Sequence, residues 1–312
     1  MRILIAGAGA TGGYFGGRLA QAGRDVTFLV RPRRAAELRG GLRISGPVKD
    51  ETIPVQTVTA EELDTPYDVV VVAVKAGALD AVVQQLAPAV GPGTMILPFL
   101  NGMSHLDVLT ARFGPEHVLG GLVKVVATVA GDGHIQQMHP LATMAIGEQS
   151  GERSRRIEEL YRELSVPGFE LSLSPDIVAA MWHKWVFITA AGVVTCLMRG
   201  PVGDIVACPG GEDFALAVIA ETEAVAAAAG HPVPDGEHAL SVGLLTEPGS
   251  GFTSSLYRDV TAGLPHEGEH ILGRFVERAA GLGAAAPLTG LALLQLRVHD
   301  RQAAGPGPRA TP

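Results

Sequence analysis

The sequence predicts an α/β protein in which a doubly wound parallel sheet with an antiparallel extension is followed by an all-helical domain. Three observations support this prediction. The chain opens with an apolar strand, a glycine-rich turn, a helix and a second strand over residues 2–31. Further apolar strands then alternate with amphipathic segments, as is typical of parallel sheets. From Pro175 onward the apolar residues recur at helical spacing instead.

The turn after the first strand reads Gly7-Ala8-Gly9-Ala10-Thr11-Gly12, which is the G-x-G-x-x-G pattern of Rossmann-type dinucleotide-binding domains. In this pattern Gly7 permits a tight turn, Gly9 lets the backbone approach a pyrophosphate, and Gly12 lets the helix pack closely on the strand. N–H groups at the helix start then favour phosphate binding. The alternative is a purely structural glycine turn, but the flanking strands and helix favour a bound dinucleotide.

The end of the second strand carries arginines where NAD-binding domains usually carry an acidic residue. Arg31, Arg33 and Arg34 follow Val30 with only Pro32 between them. Guanidinium groups bind phosphate in a bidentate manner, and no carboxylate stands at the strand end to repel a 2′-phosphate. The sequence therefore favours NADP(H) over NAD(H). The alternative is a solvated basic start to the next helix.

The other elements of the first domain alternate along the chain. The sequence predicts a helix from Tyr14 to Ala22, strands at 25–30, 67–74 and 94–99, a helix from Leu79 to Leu86, a helix ending at Phe113, a helix from Glu152 to Leu164 and a strand from Phe169 to Leu173. The stretch 67–74 is apolar throughout, which indicates a strand buried on both faces. Segments 118–130, 134–138 and 142–146, around the turn at Gly131-Asp132-Gly133, predict the antiparallel extension.

The length of 312 residues exceeds the usual size of one hydrophobic core, so two domains are expected. We predict a dinucleotide-binding domain at 1–174 and a helical substrate and dimerisation domain at 175–302. Residues 303–312, rich in glycine, proline and alanine, are predicted to be a disordered tail. A homodimer is possible, although apolar helices alone do not show one.

Composition excludes several functional classes. The net charge of −8 argues against a nucleic-acid or anionic-membrane partner, because both need a basic face. The longest apolar stretch, Trp185 to Met198, is interrupted by polar residues and is short for a membrane span. Cys196 and Cys208 lack metal-ligand spacing, so they are interpreted as reduced structural thiols and no metal is expected. These features fit a cytoplasmic enzyme with a small-molecule substrate.

Two polar side chains follow predicted strands of the parallel sheet. Lys75 comes directly after the apolar strand at 67–74, and Asn101 follows the strand at 94–99. Ligands of open α/β sheets bind at the carboxyl ends of the strands, so both are candidate cofactor-binding and substrate-binding residues. The alternatives are a solvated lysine and a helix N-cap at Asn101.

Two further candidates lie in the predicted helical domain. Lys184 stands in the aromatic segment Trp182-His183-Lys184-Trp185, and burial of a lysine lowers its pKa toward neutrality, where it can donate a proton. His183 is interpreted as a packing or surface residue. The segment Thr253 to Asp259, with Glu267 beyond it, supplies hydroxyl groups suited to a substrate carboxylate. The alternative for these hydroxyls is a helix cap.

The order of these motifs along nearly the whole chain resembles the ketopantoate reductase (2-dehydropantoate 2-reductase) family. The resemblance rests on the glycine-rich turn, Arg31, Lys75, Asn101-Gly102-Met103, Lys184 and the segment from Ser254-Ser255 through Asp259 to Glu267. It implies an NADPH-dependent oxidoreductase that delivers a hydride to the ketone of a 2-keto acid, as in pantothenate biosynthesis.

The resemblance also implies roles for individual residues. Lys184 would be the general acid, while Lys75 and Asn101 would lie near the nicotinamide ribose and the substrate. Ser255 would bind the substrate carboxylate, and Glu267 would contact the active-site lysine or the substrate hydroxyl. The chemistry agrees, because hydride addition places negative charge on oxygen, and an ammonium both stabilises that charge and supplies the proton.

The sequence departs from the family pattern on the helix that carries the lysine. The family typically has asparagines four and eight residues after the lysine, where this chain has Ile188 and Gly192. All three positions project onto one helix face. Loss of two amides that bind substrate leaves an aliphatic group and an expected empty space, so we expect a bulkier or more apolar carbonyl or imine substrate. A non-catalytic NADPH-binding sensor is the alternative from another functional class.

Overall fold

The computed structural model describes residues 1–47 and 49–303, and it divides into two compact units. The first unit is Met1–Met181, and the second begins at Trp182. This division falls inside a helix, whereas the sequence predicts a boundary after residue 174. Of the tail predicted at 303–312, only Ala303 lies within the described residues, where it ends the last helix.

The first unit alternates strands and helices. Within the described residues its strands are β1 (Arg2–Ala6), β2 (Asp25–Leu29), β3 (Leu42–Ser45), β4 (Glu51–Ile53), β5 (Gln56–Val58), β6 (Val69–Val72), β7 (Met95–Pro98), β8 (Gly120–Val129), β9 (Ile135–Gly147) and β10 (Glu170–Leu173). Its helices are α1 (Ala10–Gln21), α2 (Pro32–Glu37), α3 (Leu79–Gln85), α4 (Ser104–Phe113) and α5 (Arg155–Leu164), and α6 (Ile177–Met198) continues into the second unit. Short 3₁₀ turns lie at Leu38–Gly40, Ala60–Glu62, Ala76–Ala78 and Ala87–Ala89.

The first sheet is entirely parallel, with the strand order β5-β2-β1-β6-β7. The chain winds outward from β1 in both directions, as in doubly wound folds. All four valines of β6 are buried, which explains why this strand has no polar face. The predicted Rossmann-type sheet is therefore confirmed.

A second sheet accommodates the antiparallel extension. Its order is β10-β9-β3-β4, with β8 paired antiparallel to β9. Val118, just before β8, forms a parallel bridge to Ile96 of β7, so the β8–β9 hairpin leads on from the edge of the first sheet. The short strands β3, β4 and β5 were not predicted from the sequence.

The β8–β9 hairpin differs from the prediction in one respect. Residues 134–138 and 142–146 were predicted as separate strands but belong to the single strand β9. Val125 pairs with Ala142 and Ala127 pairs with Gln137, so residues 138–141 bulge opposite Val126. The bulge contains Pro140, which lacks the N–H needed to continue a ladder and made the strand look interrupted.

Helix α1 lies between the two sheets of the first unit, and glycines allow this close packing. A Cβ on Gly16 would lie 2.7 Å from the Phe28 ring of β2, in the first sheet. A Cβ on Gly17 would lie 3.0 Å from both Leu42 and Ile44 of β3, in the second sheet. Side chains at these positions would push the sheets away from the helix.

The second unit is helical, as predicted. Within the described residues it contains the rest of α6, α7 (Val202–Val206), α8 (Gly211–Ala228), α9 (Asp235–Leu245), α10 (Ser255–Thr261), a π-helical turn at Glu269–Gly273, α11 (Arg274–Gly281) and α12 (Pro287–Ala303). Trp185 of α6 is buried, packs edge-on against Phe275 of α11 with ring centroids 5.0 Å apart, and donates from Nε1 to the Ile271 carbonyl at 3.0 Å.

Helix α6 is longer than the apolar stretch noted in the sequence. It has 22 residues, and an 18-residue window has a mean hydropathy of 1.5, so among the described residues it alone is long and apolar enough to cross a membrane. Length therefore does not argue against a span, contrary to the sequence-based expectation. However, 61% of that window is buried within the protein, which is the pattern of a core helix.

Candidate active site

The glycine-rich turn joins β1 to α1 in a conformation that needs two of its glycines. Gly7 has φ +104°, and its N–H donates to the Leu29 carbonyl of β2 at 3.1 Å. A Cβ on Gly12 would lie 2.8 Å from the Ala73 Cβ and would also collide with the Gly7 carbonyl oxygen. Gly7 therefore makes the turn, and Gly12 brings the helix against the sheet.

Gly9 is different, because a Cβ there would meet no atom of the described chain within 4 Å. The space beside it is open, and its φ of −82° does not itself require glycine. The first intrahelical hydrogen bond runs from the Gly13 N–H to the Gly9 carbonyl at 2.8 Å, so the N–H groups of Ala10, Thr11 and Gly12 precede it. This arrangement fits the diphosphate of a dinucleotide.

The three arginines predicted to bind a 2′-phosphate have different surroundings. Arg33 and Arg34 both pair with Glu37, each at 3.1 Å, and these hydrogen bonds, that from Arg34 above all, lower the pKa of the Glu37 carboxyl. Arg34 also donates to the Ala8 carbonyl at 3.1 Å. Arg31 is exposed at the N-cap of α2, and its guanidinium makes no ion pair with residues 1–47 or 49–303. Arg31 is thus the most available of the three.

Lys75 and Asn101 occupy equivalent places at the edge of the first sheet. Val72 of β6 pairs with Pro98 of β7 at the carboxyl ends of these strands. Lys75 and Asn101 each lie three residues beyond that pair, after the neighbouring strands β6 and β7. Strand β6 pairs with β1, which leads into the glycine-rich turn. Asn101 is not the N-cap of α4, because that position is Met103. The helix-cap alternative for Asn101 is therefore wrong.

In the second unit, Lys184 lies on a stretch of α6 that aromatic residues fix in place. Trp182 and Trp185, which flank Lys184 in the sequence, are both buried, and their ring centroids are 5.1 Å apart. The Trp182 ring also stacks on His231. His183 makes a hydrogen bond with the Pro232 carbonyl at 3.1 Å, in keeping with a packing role. The Lys184 side chain is half-buried.

The face of α6 beyond Lys184 is apolar. Ile188, one turn along, is half-buried, and Gly192, two turns along, is buried. A Cβ on Gly192 would lie 3.3 Å from Leu256 of α10 and 3.5 Å from Leu272 of the π-helical turn. The expected empty space at Gly192 is therefore filled by two leucines, and this geometry gives no support to a substrate contact there.

The serine segment forms the start of α10. The Ser254 hydroxyl caps the helix by accepting from the Tyr257 N–H at 3.0 Å, and it lies 2.8 Å from the Thr195 hydroxyl of α6. Ser254 thus has the structural role weighed as the alternative, whereas Ser255 is exposed at the first helical residue. Glu267 is half-buried just before the π-helical turn, a feature that is frequent at functional sites.

Other ionisable groups have structural surroundings. Glu269 forms a two-pronged ion pair with Arg297 of α12, at 2.6 and 2.8 Å, and this pair lowers the pKa of the Glu269 carboxyl. Burial raises the pKa of the Cys196 thiol to about 12, which makes it a poor nucleophile. Across the described residues, no group of three or more His, Cys, Asp or Glu side chains is placed to hold a metal ion.

Comparisons with known proteins cover both units of the chain. The model for ketopantoate reductase PanE/ApbA matches residues 3–151, and that for its C-terminal region matches residues 176–299. The chain belongs to the ketopantoate reductase family. Members of this family are pyridine-nucleotide-dependent oxidoreductases that act on a keto group.

Individual relatives cover nearly the whole chain. The uncharacterized oxidoreductase YkpB of Bacillus subtilis is 34% identical over 97% of this chain and 100% of its own length. A 2-dehydropantoate 2-reductase of Mesorhizobium japonicum is 29% identical over 89% of this chain and 93% of its own.

Solved structures of similar fold also cover nearly the whole chain. A PanE/ApbA family ketopantoate reductase from Ralstonia eutropha has a TM-score of 0.86 at 26% identity, covering 97% of this chain and 100% of that one. A D-mandelate dehydrogenase with bound NADH and anilino(oxo)acetate has a TM-score of 0.87, with coverage of 97% and 100%. At 19% identity it shows a shared fold only.

Proposed function

We propose that this chain is an NADPH-dependent reductase of a 2-keto acid of the 2-dehydropantoate type, with Lys184 as the general acid. The observation that carries the proposal is the half-buried lysine on a helix fixed by two buried tryptophans. An ammonium group on a half-buried lysine is suited to stabilise negative charge on a carbonyl oxygen and to donate a proton to it. Family membership supports the reaction class.

The residues of the first unit would bind the cofactor. Gly9 and the N–H groups of the first turn of α1 would hold the diphosphate, while Lys75 and Asn101, at the same sheet edge, would contact the nicotinamide ribose and the substrate. Arg31 would bind the 2′-phosphate, which is our reason for NADPH over NADH. When bound, the reduced nicotinamide supplies the hydride.

The residues of the second unit would handle the substrate and the proton. Lys184 would transfer a proton from Nζ to the carbonyl oxygen as it gains negative charge. Ser255, whose hydroxyl is exposed, would bind the substrate carboxylate, and Glu267 would contact Lys184 or the new hydroxyl group. In domain terms, residues 1–174 would serve the cofactor and residues 175–302 the substrate.

Replacement of Lys184 tests this proposal. General acid catalysis contributes about 10²- to 10⁴-fold, so Lys184→Ala should lower kcat for NADPH oxidation with ketopantoate by that order. Its affinity for NADPH should stay within about twofold of wild type, since the lysine is not proposed to bind the cofactor. Lys124→Ala, at an exposed lysine of β8, is the matched control. Unchanged turnover in Lys184→Ala would refute the role of Lys184 as the general acid. A wild type that binds NADPH but does not oxidise it with any 2-keto acid would favour the non-catalytic sensor.

A second candidate substrate class has an observation of its own. Ile188 presents an aliphatic group one turn from Lys184, where an amide would hydrogen-bond a substrate hydroxyl. This favours a carbonyl or imine compound with a more apolar side chain than that of ketopantoate. A panel of 2-keto acids of increasing apolar bulk should then show rising kcat/KM, and Ile188→Asn should shift the preference back toward ketopantoate. A strong preference of the wild type for ketopantoate would exclude this candidate.

The proposed cellular setting follows from the proposed substrate. With ketopantoate as substrate, the reaction would serve pantothenate biosynthesis in the cytoplasm, where reduced thiols such as Cys196 and Cys208 are usual. A homodimer is proposed on the exposed apolar side chains of α12, Leu291, Leu294 and Val298, which recur at helical spacing. Light scattering of the purified chain checks the dimer.

A further inference from the structure

Arg34 has surroundings unlike those of the arginines beside it. Its side chain is only 18% exposed although α2 is short and superficial, whereas that of Arg33 is 92% exposed. The guanidinium donates from Nη2 to the Ala8 carbonyl at 3.1 Å and from Nη1 to Glu37 at 3.1 Å. One side chain therefore links the helix after β2 to the glycine-rich turn after β1.

The bond to Ala8 fixes a particular peptide plane. The Ala8 carbonyl and the Gly9 N–H belong to the same trans peptide, so they point in opposite directions. Holding the carbonyl toward Arg34 therefore turns the Gly9 N–H away from Arg34. Gly9 is the position with open space beside it, where we propose the diphosphate.

The β8–β9 turn supports the guanidinium from a second side. A Cβ on Gly133 would lie 2.7 Å from Arg34 Nη1 and 3.4 Å from Glu37 Oε2. The turn itself is fixed by a hydrogen bond from the Gly133 N–H to the Ala130 carbonyl at 2.8 Å. Arg34 thus sits between the glycine-rich turn, Glu37 and the hairpin of the second sheet.

We propose that Arg34 is a positioning residue for the dinucleotide: it orients the Ala8–Gly9 peptide without touching the cofactor's 2′-phosphate. The inference rests on the proposed binding of NADPH at this turn and deepens it. Arg31 then distinguishes NADPH from NADH, whereas Arg34 serves both cofactors equally, because both carry the same diphosphate. The hairpin turn at Gly133 becomes part of the support of the cofactor site.

Direct cofactor titration tests the inference independently of turnover. Dissociation constants for NADPH and NADH would be measured by the fluorescence of the reduced nicotinamide. Arg34→Met should raise both constants by a similar factor of about 3 to 10, with little change in kcat at saturating cofactor. Arg34→Lys keeps one donor and should give intermediate values. Arg155→Met, at an exposed arginine paired with Glu159 on α5, is the control and should change neither.

Three results would overturn the inference. If Arg34→Met raised the dissociation constant for NADPH but not that for NADH, Arg34 would contact the 2′-phosphate. Unchanged constants for both cofactors, with a lower Tm, would mean that Arg34 only stabilises the fold. If the wild type binds neither cofactor, the proposed function itself fails and this inference with it, a result distinct from the other two.

A second pair of variants reaches the same contact from the hairpin. In Gly133→Ala the new methyl group would push against Arg34. Gly23→Ala is the matched control, because Gly23 has a similar positive φ (+79°, against +84° at Gly133) and a methyl group there would meet no described atom within 4 Å. The two should therefore share the backbone strain and differ at Arg34 and its partner Glu37. We expect weaker binding of both cofactors in Gly133→Ala and not in Gly23→Ala. Equal binding by the two variants would argue against the role of the hairpin.

Discussion

Glu51 of β4 should make the stability of this protein depend on acidic pH. Its side chain is 12% exposed and receives hydrogen bonds from Arg18 at 2.5 Å, Lys49 at 2.6 Å and Gln21 at 2.5 Å. Burial raises the pKa of the Glu51 carboxyl, but the hydrogen bonds from Lys49, Arg18 and Gln21 outweigh it and lower the pKa from 4.5 to about 2. Because Arg18 and Gln21 belong to α1, this cluster ties the helix of the glycine-rich turn to the second sheet.

The magnitude follows from the difference between these two pKa values. A fall from 4.5 to about 2 corresponds to about 3 kcal/mol before solvent screening is considered. The Lys49 side chain is 60% exposed, so solvent screens its share, and we expect about 1–2 kcal/mol. A carboxyl group whose pKa is lowered by folding stabilises the folded state at pH values above its pKa in the unfolded chain. This contribution is lost as the pH falls from about 5 to about 2.

Urea unfolding at a series of pH values measures this contribution. Glu51→Gln should lower the free energy of unfolding by about 1–2 kcal/mol at neutral pH, and the difference from wild type should shrink toward zero near pH 2. Glu61→Gln, at an exposed carboxyl of the same unit, is the control. A difference between wild type and Glu51→Gln that is independent of pH would show that lost packing, rather than charge, explains the effect.

Three further substitutions follow from the structure. Gly12→Ala would place a methyl group against the Gly7 carbonyl and Ala73, so thermal unfolding should show a folding free energy weakened by about 1–3 kcal/mol. In Gly9→Ala the methyl group would meet open space, so this variant should keep nearly the same Tm and bind NADPH more weakly. In the second unit, the Glu221 carboxylate accepts hydrogen bonds from the N–H groups of Leu288 and Thr289 at 2.8 Å each and from the Thr289 hydroxyl at 2.7 Å. Glu221→Ala should therefore lower the free energy of unfolding in urea by about 2–3 kcal/mol. Glu212→Ala, at an exposed carboxylate of the same helix, is the control.

The parts of the fold that were predictable depend on residues close together in sequence. The glycine-rich turn could be read because its strand, turn and helix occupy residues 2–21 without interruption. The strands β3, β4 and β5 were missed because each has only three or four residues, and β3 takes part of its pairing from Ile135 of β9, far along the chain. A short strand whose partner is distant leaves little local signal.

The arginine cluster shows the same limit within one site. The ion pairs of Arg33 and Arg34 with Glu37 span four and three residues of a helix, so their spacing could have shown that Glu37 neutralises part of the predicted phosphate site. The bond from Arg34 to Ala8 joins residues 26 apart and depends on how α2 leaves β2. Sequence spacing therefore identified the arginines but could not separate their roles.

Gly192 shows why an absent side chain cannot be interpreted from sequence alone. Helical spacing correctly placed Gly192 on the face of Lys184 and Ile188, and a missing side chain there suggested room for a larger substrate. In the structure Leu256 and Leu272 approach that position from two other segments, and they lie 3.3 and 3.5 Å from the point that a Cβ would occupy. The volume lost at Gly192 is thus filled by the protein, so the proposal of a more apolar substrate rests on Ile188 and not on Gly192. That residue is half-buried and lies one turn nearer the proposed acid.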